Sequence, residues 1–481
     1  MSSIIIQNCN NCELDIPAKY ALKLYNDLTV RHPNAFYLKG RVKNWDGKVH
    51  FISKSGLFKI GLLPRVYNLC KEYGLDVKII DHRRVVYPSI KSIKIPKTIG
   101  GLKLRPEQKL AVSSVLYNQI GGITYRVGII DYTVNAGKSL IMAALYHAFK
   151  GKLKTLLITN DADWLKQAKT EFLSLIPEED LTFVQGSKVF GWKNFSIGMV
   201  QSISRNIKIY QRELTKIDMV LVDEADLASS KSYQSVLTHL FNTQVRLGLS
   251  GTIYMSKLAR DRLKNMNLEA FFGPTLAEFK LIESIKKGYS TKVIVKVIDT
   301  KPWYGNWGSE ATEYQEIYED TITNNPIAYK IVLDRLNFNA QYGRFPALLV
   351  CKYIKHCENL YKYLKKRLDK KYIIAKVHVD TPTKERDSII KKFREGKIDI
   401  LISTTIIARG KNLPLLKLMI NTACIDSQEK NIQFLGRLVR LHSSKKKVYL
   451  EDLSFPGKYL SRHSNHRRIY YQKQGLKVIR L

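Results

Sequence analysis

From Leu102 onward the chain is paced by short apolar, β-branched runs: RVGIID, KTLLITN, FSIGMV, DMVLVDE and VRLGLSGT, then PALLVC, KVHVD, IDILIST, LMINTA and KVYLED, with helical stretches between them. Runs that are apolar throughout, rather than alternating, belong to strands buried on both faces. A parallel sheet with helices crossing over each face provides that environment. The runs fall into two series, so the sequence predicts two α/β domains. Between them the polar and aromatic stretch from Met255 to Asn325, including KPWYGNWGSEATEYQEIYED, breaks the rhythm and reads as the end of the first domain plus a connection. Asn325-Pro326 then suits a helix start, with Asn as cap and Pro at the first helical position. Ahead of Leu102, FYLKGRVKNWDGKVHFIS alternates polar and apolar residues around Asp46-Gly47. That is a hairpin signal, because the tight turn needs positive φ at its centre. The expected layout is a small α+β domain at 1–95, α/β domains at 96–285 and 326–481, and a connection at 286–325.

Charge narrows the partner. The chain of 481 residues carries 79 Lys and Arg against 42 Asp and Glu, a formal net charge of +37, which favours a polyanion. No apolar run approaches the roughly 20 residues of a spanning helix. The segment MSSIIIQNCNNCELD has neither a basic n-region nor a long apolar core, so a soluble, cytoplasmic protein is expected. Six scattered cysteines suit reduced thiols. Cys9-x-x-Cys12 has no second Cys or His pair at finger-like spacing, and metal is not expected there.

The stretch GIIDYTVNAGKSLIMAA reads as a strand, a phosphate-binding loop and a helix. Asn135, Ala136 and Gly137 are small enough for successive backbone N–H groups to face phosphate oxygens. Lys138 can reach the outer phosphates, and Ser139 offers a hydroxyl to Mg²⁺. Tyr132 departs from the pattern, standing where its first glycine belongs. In MVLVDEADLA, 85 residues beyond the Lys, an apolar strand ends in Asp223, placed to hold Mg²⁺, and Glu224, placed to orient and deprotonate a water. Ser250-Gly251-Thr252 ends another strand. QFLGRLVR supplies Gln433, Gly436, Arg437 and Arg440, the two arginines at i, i+3 on one expected helix face, pointing into a cleft between the α/β domains.

These motifs, in this order over Leu102 to Arg440, resemble those of superfamily-two helicases, whose fold is a tandem pair of RecA-like domains. In LRPEQ, Gln108 matches the glutamine that reads adenine. TLLITNDADWLKQ is similar to motif Ia, with Thr159 and Gln167 in register, and GMVQSIS to motif Ib, with Gln201 and Ser202. KERDSIIKKFREGKIDILISTTIIARGKNLP resembles motif V and its approach, with Gly410 and Asn412 at nucleotide- and strand-contacting positions, and QFLGRLVR has the form of motif VI. Asp223-Glu224-Ala225-Asp226 has the letters of the DEAD-box RNA helicases, but Gln433 and the motif Ia sequence differ from theirs, and Asp226 is read as a coincidence.

A fuller resemblance is to the UvsW-type phage helicases. It extends to NWDGKVHF and GLLPRVYNLCKEYGLDV in the N-terminal part and to SRHSNHRRIYYQKQGLKVIR in the tail. It implies ATP and Mg²⁺ as cofactors and a motor that unwinds and remodels branched DNA, 3′→5′. It also implies a monomer on DNA, with recombination or single-strand-binding proteins as candidate partners. An RNA helicase or ribonucleoprotein remodeller would share the same motor and stays open. For duplex contact the expected residues are Lys39, Arg41, Lys43, Trp45 and Lys48 of the N-terminal part. Arg467 and Arg468 of the tail join them, with Lys445, Tyr470 and Tyr471 as further tail contacts; such contacts carry charge and stacking rather than base code.

Overall fold

The computed structural model describes residues 2–38, 45–83, 93–186, 191–251, 253, 261–301, 313–408 and 413–481. The chain divides into two compact units. One comprises residues 1–132 and 137–279, the other 280–481 with Thr133–Ala136.

Each unit holds one seven-stranded parallel sheet, as the two series of runs imply. In the first the spatial order is Leu181–Val184, Phe195–Met199, Thr155–Thr159, Met219–Asp223, Val245–Ser250, Arg126–Tyr132 and Thr275–Phe279. Met219–Asp223 and Val245–Ser250 are buried at every residue, which is why they read as unbroken apolar runs. In the second the order is Ile374–Val377, Ile400–Thr404, Ala347–Cys351, Leu418–Asn421, Lys447–Ser454, Lys292–Asp299 and Val478–Arg480. These are two tandem RecA-like domains behind a small α+β region. Asn325 caps the helix Pro326–Gln341 as its sequence suggests, its side chain accepting from Ala328 N at 3.1 Å.

Three expectations change. The strand Lys292–Asp299 pairs in parallel with Lys447–Ser454 and with Val478–Arg480, so these 8 residues of the supposed connection at 286–325 belong to the second sheet. Asp46-Gly47 does turn the chain, with Gly47 at φ +80°. The strand that follows, Lys48–His50, pairs with Thr29–Arg31, Val30 opposite Val49, and residues 39–44, the other arm of the expected hairpin, lie outside the described residues. A helix, Ala35–Leu38, lies between the two strands in sequence, and Tyr37 is on it.

The N-terminal region is also not a separate body. Its four-stranded sheet (Leu57–Lys59, Asn11–Asp15, Ser2–Ile6, Val77–Asp81) and the helix Leu63–Glu72 share one core with the motor residues Tyr125, Val127, Met266 and Ala270. At Gly61 a Cβ would lie 2.1 Å from the Glu269 carbonyl oxygen, so only glycine permits this approach. Tyr125 Oη donates to Ile60 O at 3.0 Å, and Arg65 grips Glu269 through two 2.7 Å bonds.

Candidate nucleotide and nucleic-acid site

The strand Arg126–Tyr132 delivers the phosphate loop, and Tyr132 anchors it. Its ring is fully buried with its centre 5.6 Å from that of Phe279, and its hydroxyl donates to Glu107 O at 2.7 Å. That bond fixes the helix Pro106–Leu116, and with it Gln108, against the loop. Gln108 Oε1 accepts from Arg105 N, and Gln108 Nε2 lies 3.5 Å from Gly137 O. Asn135 and Gly137 both take left-handed backbone, φ +64° and +76°, which turns successive N–H groups toward one side. A Cβ on Gly137 would meet the amide end of Gln108 at 2.4 Å, which that flexible side chain can relieve by shifting, so it is the left-handed conformation that calls for glycine. Lys138 opens the helix Lys138–Ala148, and its Nζ donates to Tyr132 O at 3.1 Å. Ser139 follows in the first turn, half-buried.

Asp223 ends the strand Met219–Asp223 and is 7% exposed, its Oδ1 without a hydrogen-bond partner among the described residues. Burial pushes its carboxyl above the usual range, opposed by the charge of Lys138. A buried, underpartnered carboxylate oxygen fits a hard cation. Mg²⁺ takes one or two carboxylates plus phosphate oxygens rather than an all-protein cage. Among the described residues no group of three His, Cys, Asp or Glu forms such a cage. Cys9 and Cys12 are buried, Cys12 within the strand Asn11–Asp15. Glu224 adopts φ +51°, rare for a non-glycine residue and characteristic of strained functional positions.

Asp226 is not incidental. Its Oδ1 accepts from Ser250 Oγ at 2.8 Å, both side chains buried. The carboxylate segment is thereby joined to the end of the neighbouring strand Val245–Ser250. A bond between residues 24 apart has no local sequence signal, which is why the reading by letters passed over it.

Motifs Ia and Ib follow the C-terminal ends of two neighbouring strands, Thr155–Thr159 and Phe195–Met199, which pair with Thr159 opposite Met199. Thr159 is buried, its Oγ1 accepting from Asp161 N at 3.3 Å, whereas Gln167 is exposed on the following helix. Gln201 Nε2 lies 3.5 Å from Asn160 O, and Ser202 Oγ accepts from Gly186 N at 3.0 Å. Trp45 Nε1 donates to Lys48 O at 2.8 Å, and Lys48 is exposed. Lys39, Arg41, Lys43, Thr252, Gly410 and Asn412 lie outside the described residues.

In the second unit, Ser427 caps the helix Gln428–Leu438, accepting from Lys430 N. Gln433 and Arg437 share that helix, Arg437 Nη1 donating to Gln433 O at 2.9 Å. Arg440 lies beyond the helix end, contrary to the expected shared face, and its carbonyl accepts from Thr291 Oγ1 at 3.1 Å.

The tail departs furthest from expectation. The helix Leu460–Lys473 is built into the second unit, and Arg467 is fully buried. Arg467 Nε donates to both Asp452 carboxylate oxygens, at 3.1 and 2.9 Å, and Nη2 to Leu453 O. Tyr470 and Tyr471 are buried, and Lys445 Nζ is spent on the carbonyls of Leu416 and Leu438. None of these four side chains is placed to meet a nucleic acid. Arg468 is exposed.

Two family models match: type III restriction enzyme, res subunit, over residues 101–255, and helicase conserved C-terminal domain over 329–442. The ATP-dependent DNA helicase uvsW of Enterobacteria phage T4 is 25% identical over 431 residues, covering 86% of this chain and 82% of the relative. A putative ATP-dependent helicase of Saccharomyces cerevisiae, IRC3, is 22% identical over 73% of this chain and 51% of its own length. Among solved structures, the DNA-bound type ISP restriction-modification enzyme LlaBIII aligns with TM-score 0.57 at 12% identity, over 87% of this chain and 34% of the other. Saccharomyces cerevisiae Dbp5 bound to RNA aligns with TM-score 0.52 at 15% identity, over 79% and 90%. These last two likenesses show the fold alone. No helix among the described residues is long and apolar enough to cross a membrane. With the motor sheets, the phosphate loop and both family models in one order along it, the chain is a superfamily-two ATP-dependent helicase, similar to the phage T4 helicase uvsW.

Proposed function

We propose that this helicase couples ATP hydrolysis to 3′→5′ movement along DNA and remodels branched substrates such as forks and four-way junctions. In the proposed cycle the N–H groups of Asn135 to Gly137 and the Lys138 ammonium bind the phosphates, and Gln108 contacts the adenine. Asp223 and Ser139 would hold Mg²⁺, which offsets phosphate charge when bound. Glu224 orients the attacking water and takes its proton. The sequence resemblance assigns Gln433, Arg437 and Arg440 to the charge that develops on the transferring phosphoryl group, a role typically worth about 10³ to 10⁵ in rate. Ser250, bonded to Asp226, passes the change at the carboxylates to the next strand.

The observation that carries the DNA-remodelling part is the N-terminal region. It is continuous with the core of the first motor unit, so a duplex held there would move with the motor rather than trail on a tether. The excess of positive charge supports a phosphate backbone as its partner. The test is steady-state ATPase activity without nucleic acid, then with single-stranded DNA, a fork, a four-way junction and RNA. Strongest stimulation by fork or junction is expected. Lys138→Ala and Glu224→Gln should both abolish turnover and leave DNA binding within about threefold, since these groups serve transition-state and phosphate charge. Stimulation by RNA alone would assign the motor to RNA remodelling instead.

A further inference from the structure

The second unit's sheet has two ends. The segments resembling motifs V and VI follow the C-terminal ends of the strands Ile400–Thr404 and Leu418–Asn421. At the opposite end, where the chain enters the strand Ala347–Cys351, Arg344 is caged by aromatic rings. Its guanidinium carbon lies 3.8 Å from the ring centre of Tyr449 and 4.7 Å from that of Tyr342, and Nη1 donates to Asn339 Oδ1 at 3.0 Å. Phe338 adds a third ring, 5.6 Å from both Arg344 and Lys296 Nζ. Lys417, just ahead of the strand Leu418–Asn421, reaches the same corner, donating to Gly343 O at 3.3 Å.

The charge here is not balanced locally. Glu451, the carboxylate facing this cluster, is fully buried and held by both arms of Arg335 and by Asn339. Among the described residues no carboxylate pairs with Lys296, Arg344 or Lys417. Burial and the repulsion of Arg335 and Arg344 hold the Lys296 ammonium below its ordinary range, against the pull of Glu451. Tyr342 is 60% exposed, a large ring left facing water beside three cations. A guanidinium fixed between rings loses little freedom on binding an anion, and exposed aromatic faces stack bases of any sequence.

We infer that this corner is a second nucleic-acid contact. It takes the phosphate backbone of the single-stranded arm that the motor does not grip, with Tyr342 as the stacking face for an unpaired base. This rests on the branched-substrate reading above. It differs from it in placing the contact at the sheet end opposite motifs V and VI.

The test compares the full chain's affinity for a DNA fork with two single-stranded arms and for the same duplex with a single 3′ arm, by fluorescence anisotropy at several salt concentrations. The wild type should prefer the fork, and Arg344→Glu with Lys417→Glu should erase that preference. The salt slope on the fork should fall by about 2, one for each phosphate no longer neutralised. ATPase stimulation by the one-armed substrate should be unchanged. Tyr342→Ala, at an exposed position, should weaken fork binding about fivefold or more, as loss of one stacked base does, with the melting curve of the variant measured alongside. An undiminished fork preference in both variants, or a wild type with none, overturns the inference. If ATPase responds to RNA and not DNA, the branched-DNA reading fails. The arm contact is then judged on RNA forks by the same difference.

Discussion

Tyr132 stands where a phosphate-loop pattern has its first glycine, and its surroundings explain why a large ring is kept. The ring fills space against Phe279, and the hydroxyl holds the helix that carries Gln108. Left-handed backbone is needed only later, at Asn135 and Gly137, where the loop tightens. Restoring the pattern should therefore do harm. Tyr132→Gly would open a large cavity in a packed core and release Glu107 O from its donor, costing about 3–5 kcal/mol of stability by analogy with aromatic truncations. Thermal denaturation of the purified variant would show the loss, and ATP affinity should fall with it because Gln108 loses its support. Tyr132→Phe isolates the hydroxyl and should cost about 0.5–1.5 kcal/mol, the net worth of one hydrogen bond, because the Glu107 carbonyl keeps its place in the helix ladder. An unchanged melting temperature in Tyr132→Gly would mean that the ring is a passenger.

Elements were legible in the sequence wherever they are buried on both faces, because an unbroken apolar run as short as Met219–Asp223 or Ala347–Cys351 suits a strand covered from both sides and little else. Elements defined by distant partners were not. Lys292–Asp299, KVIVKVID, is as β-branched as the other strands, but it follows the first series closely, and nothing local reveals that its partners lie at Lys447–Ser454. The tail misled in the opposite sense, since a run of His, Arg and Tyr looks like a solvated face until Asp452 appears beside Arg467. Arg467→Ala should then act on folding, destabilising the second unit by about 3–5 kcal/mol as a buried carboxylate loses its partner, while Arg468→Ala leaves the melting curve alone and weakens DNA binding modestly. Equal melting curves for the two would return Arg467 to the surface. The helix Ile354–Arg367 adds a pH dependence. His356 is fully buried between Tyr318 Oη at 3.0 Å and Thr422 Oγ1 at 3.5 Å, and burial pushes its pKa down to about 3. Below an unfolded value of about 6.5 the unfolded chain takes up a proton that the native imidazole refuses, so stability is lost as pH falls, at up to about 1.4 kcal/mol per pH unit. His356→Gln should flatten the stability profile between pH about 6.5 and 5, above the ordinary carboxylate range. A parallel profile in the variant would place the proton uptake elsewhere.

At the scale of the molecule, the N-terminal region decides what kind of machine this is. An appended binding domain would have its own core and a polar face toward the motor. Here Ile60, Leu63 and Val66 share a core with Tyr125, Val127, Met266 and Ala270, and the fully buried Arg246 of the motor sheet reaches Asn10 as well as Leu240 O at 3.2 Å. Asn10 Nδ2 in turn donates to Thr238 O at 3.0 Å. Arg246 lies on the strand that ends in Ser250, so the N-terminal region and the Ser250–Asp226 link are attached to one strand. Removal of residues 1–83 would therefore bare apolar surface on the motor and strand a buried guanidinium. A chain so truncated should aggregate, or melt well below the intact protein, rather than persist as a motor lacking only its DNA grip. Asn10→Ala supplies the milder version, in which loss of one buried partner of a charged donor costs about 1–3 kcal/mol. Its ATPase response to single-stranded DNA should follow the stability loss, falling at temperatures near the lowered melting point and matching wild type well below it. A truncated chain that stays soluble, melts like the intact protein and hydrolyses ATP at the full stimulated rate would show the two regions to be independent, and the strand carrying Arg246 and Ser250 would then transmit nothing between them.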